Sequence, residues 1–356
     1  MMKYDPALLE KYVIDIFKAA GSSKAEAHIV AEHLLDANLV GHDSHGVIRV
    51  THYISWLRKG WITPNRVPKV IKDNGTILVI DGGLGYGQVT AKDAMILGAD
   101  RAKESGSCIV AIRNTTHLGR LGAWAEMLAK QGLLSLHFAN SSGFGIRVAP
   151  YGGNQARFST NPICIGSPVK SGEPVILDMS TAKIPDGKIL VAANKGEDLP
   201  EGYILDGEGK STCDPQGFFE EPQGAVLPIA GPKGSGLAFM IEILAGAFSG
   251  GNIGHPDNPT APQVENNMLS IIINPDKGSG RDVFGMDVTR LIDWTKSCRP
   301  VTKGEDVLLP GERGQKTRKI RLKQGVPLDD LTIAELGKVA TSLDVTISKY
   351  FRKINK

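Results

Sequence analysis

Several features that mark whole protein classes are scarce in these 356 residues. The four cysteines, Cys108, Cys164, Cys213 and Cys298, are far apart and form no CxxC pair. That spacing argues against a disulfide framework or a thiolate metal site, and fits a reducing, cytoplasmic compartment. Charge of one sign is missing too: 41 basic and 38 acidic side chains leave +3, too little to point to nucleic acid or a membrane surface. The longest apolar run, residues 237–248, is about half a membrane span and contains Glu242, so it reads as a core segment. The start, Met-Met-Lys-Tyr-Asp-Pro, carries charge where a signal peptide needs an apolar centre. No internal repeat or low-complexity tract is present.

Glycine, by contrast, is abundant, with 42 residues against an ordinary share of about 7%. It implies many tight turns, or places where backbone approaches a ligand closely. With 41% hydrophobic and 22% charged residues the chain can bury a sizeable core, which excludes intrinsic disorder, and its length suggests about two domains.

The first 65 or so residues read as mainly helical. Asp5-Pro6 is a cap followed by a first-turn proline, and Leu8, Leu9, Val13, Ile16 and Phe17 recur at helical spacing until Gly21. Ser23 and Glu26 form a capping-box pattern, and Ala27, Val30, Ala31, Leu34 and Leu35 then mark an apolar face ending before Gly41. A third pattern, Val47, Val50, Ile54 and Leu57, runs to a break at residues 60–68. From Thr76 strands are expected at 77–80, 108–112, 133–138, 163–166, 175–178 and 269–273, with helices at 90–104, 119–130 and 234–248. Their alternation predicts an α/β centre. After Pro310 a basic stretch, Arg313 to Lys323, reads as a solvated strand or loop in preference to a phosphate or nucleic-acid contact, and a capping box at Thr332 and Glu335 opens a final helix.

The glycine passage Gly83-Leu-Gly85-Tyr-Gly87-Gln88 follows a strand and precedes a helix, as a dinucleotide fingerprint does. Gln88 stands where the third glycine belongs, and the next strand is followed by Arg113 and no acid, which favours a structural turn. Gly231-Pro-Lys-Gly-Ser-Gly236 lacks the Walker order; it is either a lysine-bearing anion site at a helix start or a plain turn. The densest ionisable cluster is His42, Asp43, Ser44, His45, Arg49 and His52, with Tyr53 beside it. Helical spacing puts Arg49, His52 and Tyr53 on one side, near the loop carrying His45. A histidine that exchanges protons near neutral pH and an arginine that clamps a carboxylate describe a pocket for a small anionic acid. The same residues fit a Ser44 helix cap with solvated histidines, and a third reading takes His42, His45 and His52 as zinc ligands. His117 follows a strand and precedes a helix, which suits either ligand binding or a strand-end cap. His137, inside an apolar strand, reads as a satisfied core histidine.

Five motifs then occur in order: Asp43-Ser44-His45-Gly46-Val47-x-Arg49, His117-x-Gly119-x-x-Gly122, Ser159-Thr160-Asn161-Pro162, Leu177-Asp178-Met179-Ser180-Thr181 and Gly231-Pro-Lys233-Gly234. In this the sequence resembles the malate/L-lactate dehydrogenase-like oxidoreductases, from about Leu8 to the last helix. The resemblance implies a non-Rossmann α/β domain over residues 76–310 that holds NAD or NADP. It further implies a helical part built from both termini, residues 1–75 and 311–356, and a homodimer. The implied reaction interconverts a small anionic 2-hydroxy acid and its 2-oxo acid, or alternatively reduces a cyclic imino acid on the same site. The family's general acid corresponds to His45, and its substrate positions to Ser44, Arg49 and His117, with Thr160 and Asn161 beside the nicotinamide. Its nucleotide contacts correspond to Ser141, Asp178, Met179, Ser180, Thr181, Lys233, Gly234, Gly311 and Arg313; no metal is implied. The chain departs from the family pattern after Asp178: Lys183 adds charge and Pro185-Asp186-Gly187 reshapes the turn, so NAD and NADP both stay open. Outside the family, a zinc-dependent dehydrogenase or a non-catalytic ligand-binding protein remain the alternatives.

Overall fold

The structure, a computed structural model, describes residues 2–143, 145–258 and 263–346. A short strand, β1 (Met2–Tyr4), precedes helix α1 (Pro6–Ala19), which starts as its sequence predicts, with the Leu8 amide donating to Asp5 and Pro6 in the first turn. At α2 (Lys24–Leu39) only half the capping box forms. The Glu26 amide donates to Ser23 Oγ, but the Glu26 carboxylate accepts from the Asn65 amide at 2.7 Å, tying down the loop that follows the third helix. A 3-10 turn, Asp43–His45, leads to α3 (Arg49–Arg58). Ser44 does not cap that helix: the cap residue is Ile48, with no side-chain bond, because the 3-10 turn already carries the chain into helical geometry.

The chain then builds a seven-stranded mixed sheet from β2 (Lys69–Asp73), β3 (Ile77–Asp81), β4 (Ser107–Thr115), β5 (Leu134–Gly143), β6 (Ile163–Ser167), β7 (Val175–Met179) and β11 (Val264–Ile273). The order is β2-β3-β4-β11-β5-β6-β7, and of these neighbours only β3 and β4 run parallel. Strand side chains alternate between faces. Ile112 and Met268 therefore join α4 (Gly87–Ser105) and α5 (Leu121–Ala129) on one side, while Ala111 and Leu269 meet Ile241 and Ala245 on the other. Those last two belong to α7 (Pro232–Ile241) and the π-helical turn, Glu242–Ala247, that continues it. His137 is fully buried between the hydroxyls of Ser270 (2.8 Å) and Ser135 (3.0 Å), the satisfied core histidine expected. Helix α6 (Asp186–Lys195) and a small sheet of β8 (Ile204–Leu205), β9 (Ser211–Thr212) and β10 (Ala225–Val226) form a satellite core with Val148, Ile189 and Phe218.

The basic stretch is a helix, α9 (Glu312–Gln324), and not a strand or loop. None of its residues is buried, so there was no apolar stripe to read; charge holds it instead. Arg318 pairs with Asp36 at 2.8 Å and Glu126 at 2.9 Å, and Arg321 pairs with Asp43. After α8 (Arg281–Lys296) and α9, strand β12 (Val326–Leu328) pairs antiparallel with β1, and α10 (Asp330–Thr341) follows. The cap of α10 is Asp329, which accepts from both the Thr332 amide and hydroxyl, so Thr332 is not the cap its pattern suggested. Tyr12 Oη donates to the Leu336 carbonyl, and one apolar cluster holds α1, α2 and α3 together with Val326, Leu328, Leu336 and Ala340. Residues 347–356 of the expected terminal segment lie outside the described residues.

Candidate active site

The turn carrying Ser44 and His45 is fastened to the end of α2. Asn38 donates to Asp43 Oδ1 at 2.7 Å and accepts from the Val47 amide at 2.8 Å. A Cβ on Gly46 would overlap that Asn38 amide, so only glycine lets the turn close. Arg49 Nε donates to the Ser44 carbonyl at 2.7 Å, which anchors the guanidinium beside His45. His117 arrives from elsewhere, on the loop between β4 and α5. Gly119, in the left-handed region at φ +76°, brings this loop against His33 of α2, whose Nε2 accepts from the Arg120 amide at 2.9 Å. From the other side, the main chain of Gly87 packs on the Thr116 and His117 carbonyls, where a Cβ could not fit. The glycine passage is thus a structural turn that seats His117.

These supports bring the two histidine rings face to face, 5.2 Å between centroids and 11° from parallel. Tyr53 Oη lies 2.6 Å from His117 Nδ1, and Gln88 Nε2 donates to the same hydroxyl at 2.7 Å. The N-terminus of α6 forms a further wall: a Cβ on Gly187 would lie 3.7 Å from Ser44 Cβ, and Asp186 pairs with Arg147 at 3.4 Å while interacting electrostatically with Arg49. His42 and His52 are exposed on the outer side of this cluster. Among the described residues no three His, Cys, Asp or Glu side chains converge to hold a metal ion, so the zinc reading finds no ligand set there.

Burial, with the Arg49 guanidinium added to it, holds the His45 pKa down to about 3, and its buried Nδ1 has no hydrogen-bond partner. His117 is held well below the ordinary value by the same two causes. Tyr53 is pushed up by burial against the opposing hydrogen bond from Gln88. Asp186 is raised by burial, with Arg147 and Arg49 pulling the other way.

A second assembly gathers several of the remaining predicted residues. The Thr160 carbonyl accepts from the Thr181 amide (3.0 Å), the Thr181 hydroxyl (2.9 Å) and the Ser180 hydroxyl (3.0 Å). Asn161, fully buried at φ +28°, donates through Nδ2 to Glu242 Oε1 (2.8 Å) and the Ala238 carbonyl (3.1 Å), which leaves Oδ1 buried and unpartnered. Gly234 belongs here, its amide donating to the Ile229 carbonyl as the Ile229 amide does to Thr181; Lys233, beside it, is exposed on the first turn of α7.

The other predicted contacts are spread out. Ser141, on β5, lies with Ser159 around Gly145. Met179 ends β7 opposite Ile163. Asp178 accepts from the Gly122 amide at 2.8 Å, so it closes the N-terminus of α5 and acts electrostatically on His42. Gly311, at φ +91°, starts α9 against the Ile176 main chain, and Arg313 is exposed on that helix.

Sequence reasoning missed Gln88, His33 and the buried Arg120, which pairs with Asp36 (2.7 Å) and Glu126 (2.8 Å). Burial pushes the Asp36 carboxyl up, but the guanidiniums of Arg120 and Arg318 outweigh it and hold it below the usual carboxylate range. The one available signal was a polar Gln88 leading the buried face that continues through Thr90, Ala91 and Ala94.

Residues 4–337 match the malate/L-lactate dehydrogenase family model. Hydroxycarboxylate dehydrogenase B of Escherichia coli is 39% identical over 329 residues, covering 92% of this chain and 90% of that one. The Δ1-pyrroline-2-carboxylate/Δ1-piperideine-2-carboxylate reductase of Pseudomonas syringae pv. tomato is 34% identical over 330 residues, covering 91% and 92%. The solved sulfolactate dehydrogenase from Methanocaldococcus jannaschii superimposes with a TM-score of 0.88 at 35% identity, over 99% of this chain and 100% of that one. With both histidine motifs inside the matched span and the fold shared end to end, the chain belongs to the malate/L-lactate dehydrogenase family.

Proposed function

We propose that this protein is a nicotinamide-nucleotide-dependent oxidoreductase that interconverts a small 2-hydroxy acid and its 2-oxo acid, with His45 as the proton-exchanging group. The observation that carries the reading is the parallel pair of rings, His45 and His117, beside an arginine whose Nε is anchored to the Ser44 carbonyl. Arg49 holds the substrate carboxylate, Ser44 and His117 bind the C2 oxygen, and His45 gives that oxygen its proton during reduction and recovers it during oxidation.

The depressed pKa of His45 fits this order of events. Its second cause is the positive charge of Arg49, which a bound carboxylate cancels. The substrate anion thereby raises the pKa of the acid it needs, and the proton is taken up with the substrate.

The residues present fit a nicotinamide nucleotide. Asn161, its amide orientation locked by Glu242, keeps a buried unpaired acceptor suited to a carboxamide N–H, with Thr160 beside it. Lys233 on the first turn of α7 suits a phosphate, backed by the helix N-terminus. Ser141, Met179, Ser180, Thr181, Gly234, Gly311 and Arg313 complete the proposed nucleotide side, and Asp178 acts through the N-terminus of α5. A nicotinamide nucleotide held there would supply or accept the hydride at C2, and the chain's own part is orientation and charge. NAD and NADP are both compatible.

The proposed nucleotide domain, residues 76–310, is non-Rossmann. A Rossmann half stacks parallel strands, and β3–β4 is the one parallel pair among the sheet's neighbours. The proposed helical part, expected over residues 1–75 and 311–356, is supported among the described residues by the β1–β12 pairing. The exposed Phe239, Met240 and Ile243 of α7 and its π-helical turn support a homodimer, and the four free cysteines support a cytoplasmic setting. A second substrate reading, reduction of a cyclic imino acid, draws on Asp186: a carboxylate with a buried, unpartnered Oδ1 complements a protonated imine nitrogen.

The test follows reduced-nicotinamide absorbance with NADH and, separately, NADPH against a panel of 2-oxo acids and one cyclic imino acid, with and without EDTA. Oxidation that persists in EDTA is the expected result. Silence across the panel, with no thermal protection by either nucleotide, overturns the proposal.

A further inference from the structure

The hydrogen bond between Tyr53 and His117 has a direction, and that direction decides which nitrogen of His117 bears the proton. Gln88 controls it. The side chain is fully buried at the start of α4, 2.7 Å from Tyr53 Oη, which in turn lies 2.6 Å from His117 Nδ1. A carboxamide can offer Tyr53 either an N–H or its carbonyl oxygen. With the N–H forward, the one unsatisfied atom is the Gln88 Oε1 acceptor. Reversed, the amide would strand its N–H donors in the same buried place, and orphaned buried donors are the rarer case.

Gln88 therefore donates and Tyr53 Oη accepts; among the described residues His117 Nδ1 is the one other partner of this buried hydroxyl, so the single phenolic proton, which would otherwise have no acceptor, turns toward His117 Nδ1. A nitrogen that accepts is bare, and a neutral imidazole must then carry its proton on Nε2.

We propose that Gln88 is a positioning residue that, through Tyr53, locks His117 in the Nε2–H tautomer, making His117 a hydrogen-bond donor to the substrate's C2 oxygen and never its base. The destination of that donor rests on the functional reading above; the lock itself belongs to the free protein. The two stacked histidines then divide the work. His117 holds the oxygen with a fixed proton, and His45, free of such a lock at Nδ1, exchanges one.

The test is long-range proton–nitrogen correlation NMR on histidine-labelled full-length protein at neutral pH, without substrate. Wild type is expected to show His117 with a protonated Nε2 and a bare Nδ1. Gln88→Met, close in volume but without the donor, is expected to release the lock. The two His117 nitrogen resonances then move toward each other as the tautomers mix, and turnover falls on the order of tenfold, the rate equivalent of one hydrogen bond, with nucleotide KM unchanged. Should Gln88→Met fold poorly, Tyr53→Phe removes the relay hydroxyl and is expected to move the same resonances. A protonated Nδ1 in wild type overturns the proposal, as do His117 resonances that stay in place in the folded variants. Because the tautomer is read without substrate, a silent activity panel would sink the functional reading and leave this one standing.

Discussion

In the sheet, His137 has a serine hydroxyl on each ring nitrogen; at the seam between the helices and the sheet, His45 keeps a buried Nδ1 that nothing engages. Both are held to a pKa of about 3, so the shift alone does not distinguish them. The causes do. Burial is the only one acting on His137, whereas His45 adds the charge of Arg49, which an anionic ligand can remove. A perturbed histidine becomes a functional candidate when part of its perturbation is removable and part of its bonding capacity is unused.

His45→Ala tests the seam most severely. Turnover is expected to fall on the order of 10²–10⁴-fold while thermal protection by the nucleotide survives, as seen by pairing steady-state kinetics with melts. Unchanged turnover would remove His45 from the proton-exchanging role. The mirror experiment in the sheet, His137→Ala, should leave kcat/KM per folded molecule intact. It strands the Ser135 and Ser270 hydroxyls beside a new cavity, so denaturant unfolding should show a loss of about 2–4 kcal/mol.

A pH series sharpens the contrast. The unfolded His137 protonates near 6.5 and the folded one near 3, so the unfolded state binds more protons between those values. Stability is complete above 6.5 and falls as pH drops through this window, by about 1.4 kcal/mol per pH unit for this one group. His137→Gln should show a shallower slope than wild type in chemical unfolding across the same range. The smallest expected effect is that of Ser270→Ala, about 1 kcal/mol from one lost hydrogen bond, with kinetics unaltered.

Much of this was legible where burial leaves a period. Helices α1 and α2 and the sheet strands from Ile77 to Ile273 follow apolar repeats that burial requires and appear where expected, although β5 runs on to Gly143 instead of ending at 138 and β11 starts at Val264 instead of 269. Helix α9 failed that test because it has no buried residue, and α8 because only Gly285 is buried while Val283, Met286, Leu291 and Trp294 face outward. Ser44, His45 and Arg49 were visible as a local cluster, and His117 as a residue at a strand end. Their supports were not, because Gln88 meets Tyr53 across 35 positions and His33 meets Arg120 across 87. No local pattern encodes a partner so distant in the chain. Long range also hid the bond from the Gly122 amide to the Asp178 carboxylate, which spans 56 positions.

The pairing of β1 with β12 sets a timetable for synthesis. Met2 aligns with Leu328, and the apolar cluster that seats Tyr53 includes Leu336 and Ala340. A growing chain makes Ser44, His45 and Arg49 early, yet the floor beneath them is not available until residues 326–340 have been translated. Until then the inner faces of α1, α2 and α3 lack the surface they close against, so a nascent chain should display a sticky helical patch that suits chaperone capture. Catalytic competence would then appear abruptly once that segment has been made, together with the disappearance of that patch.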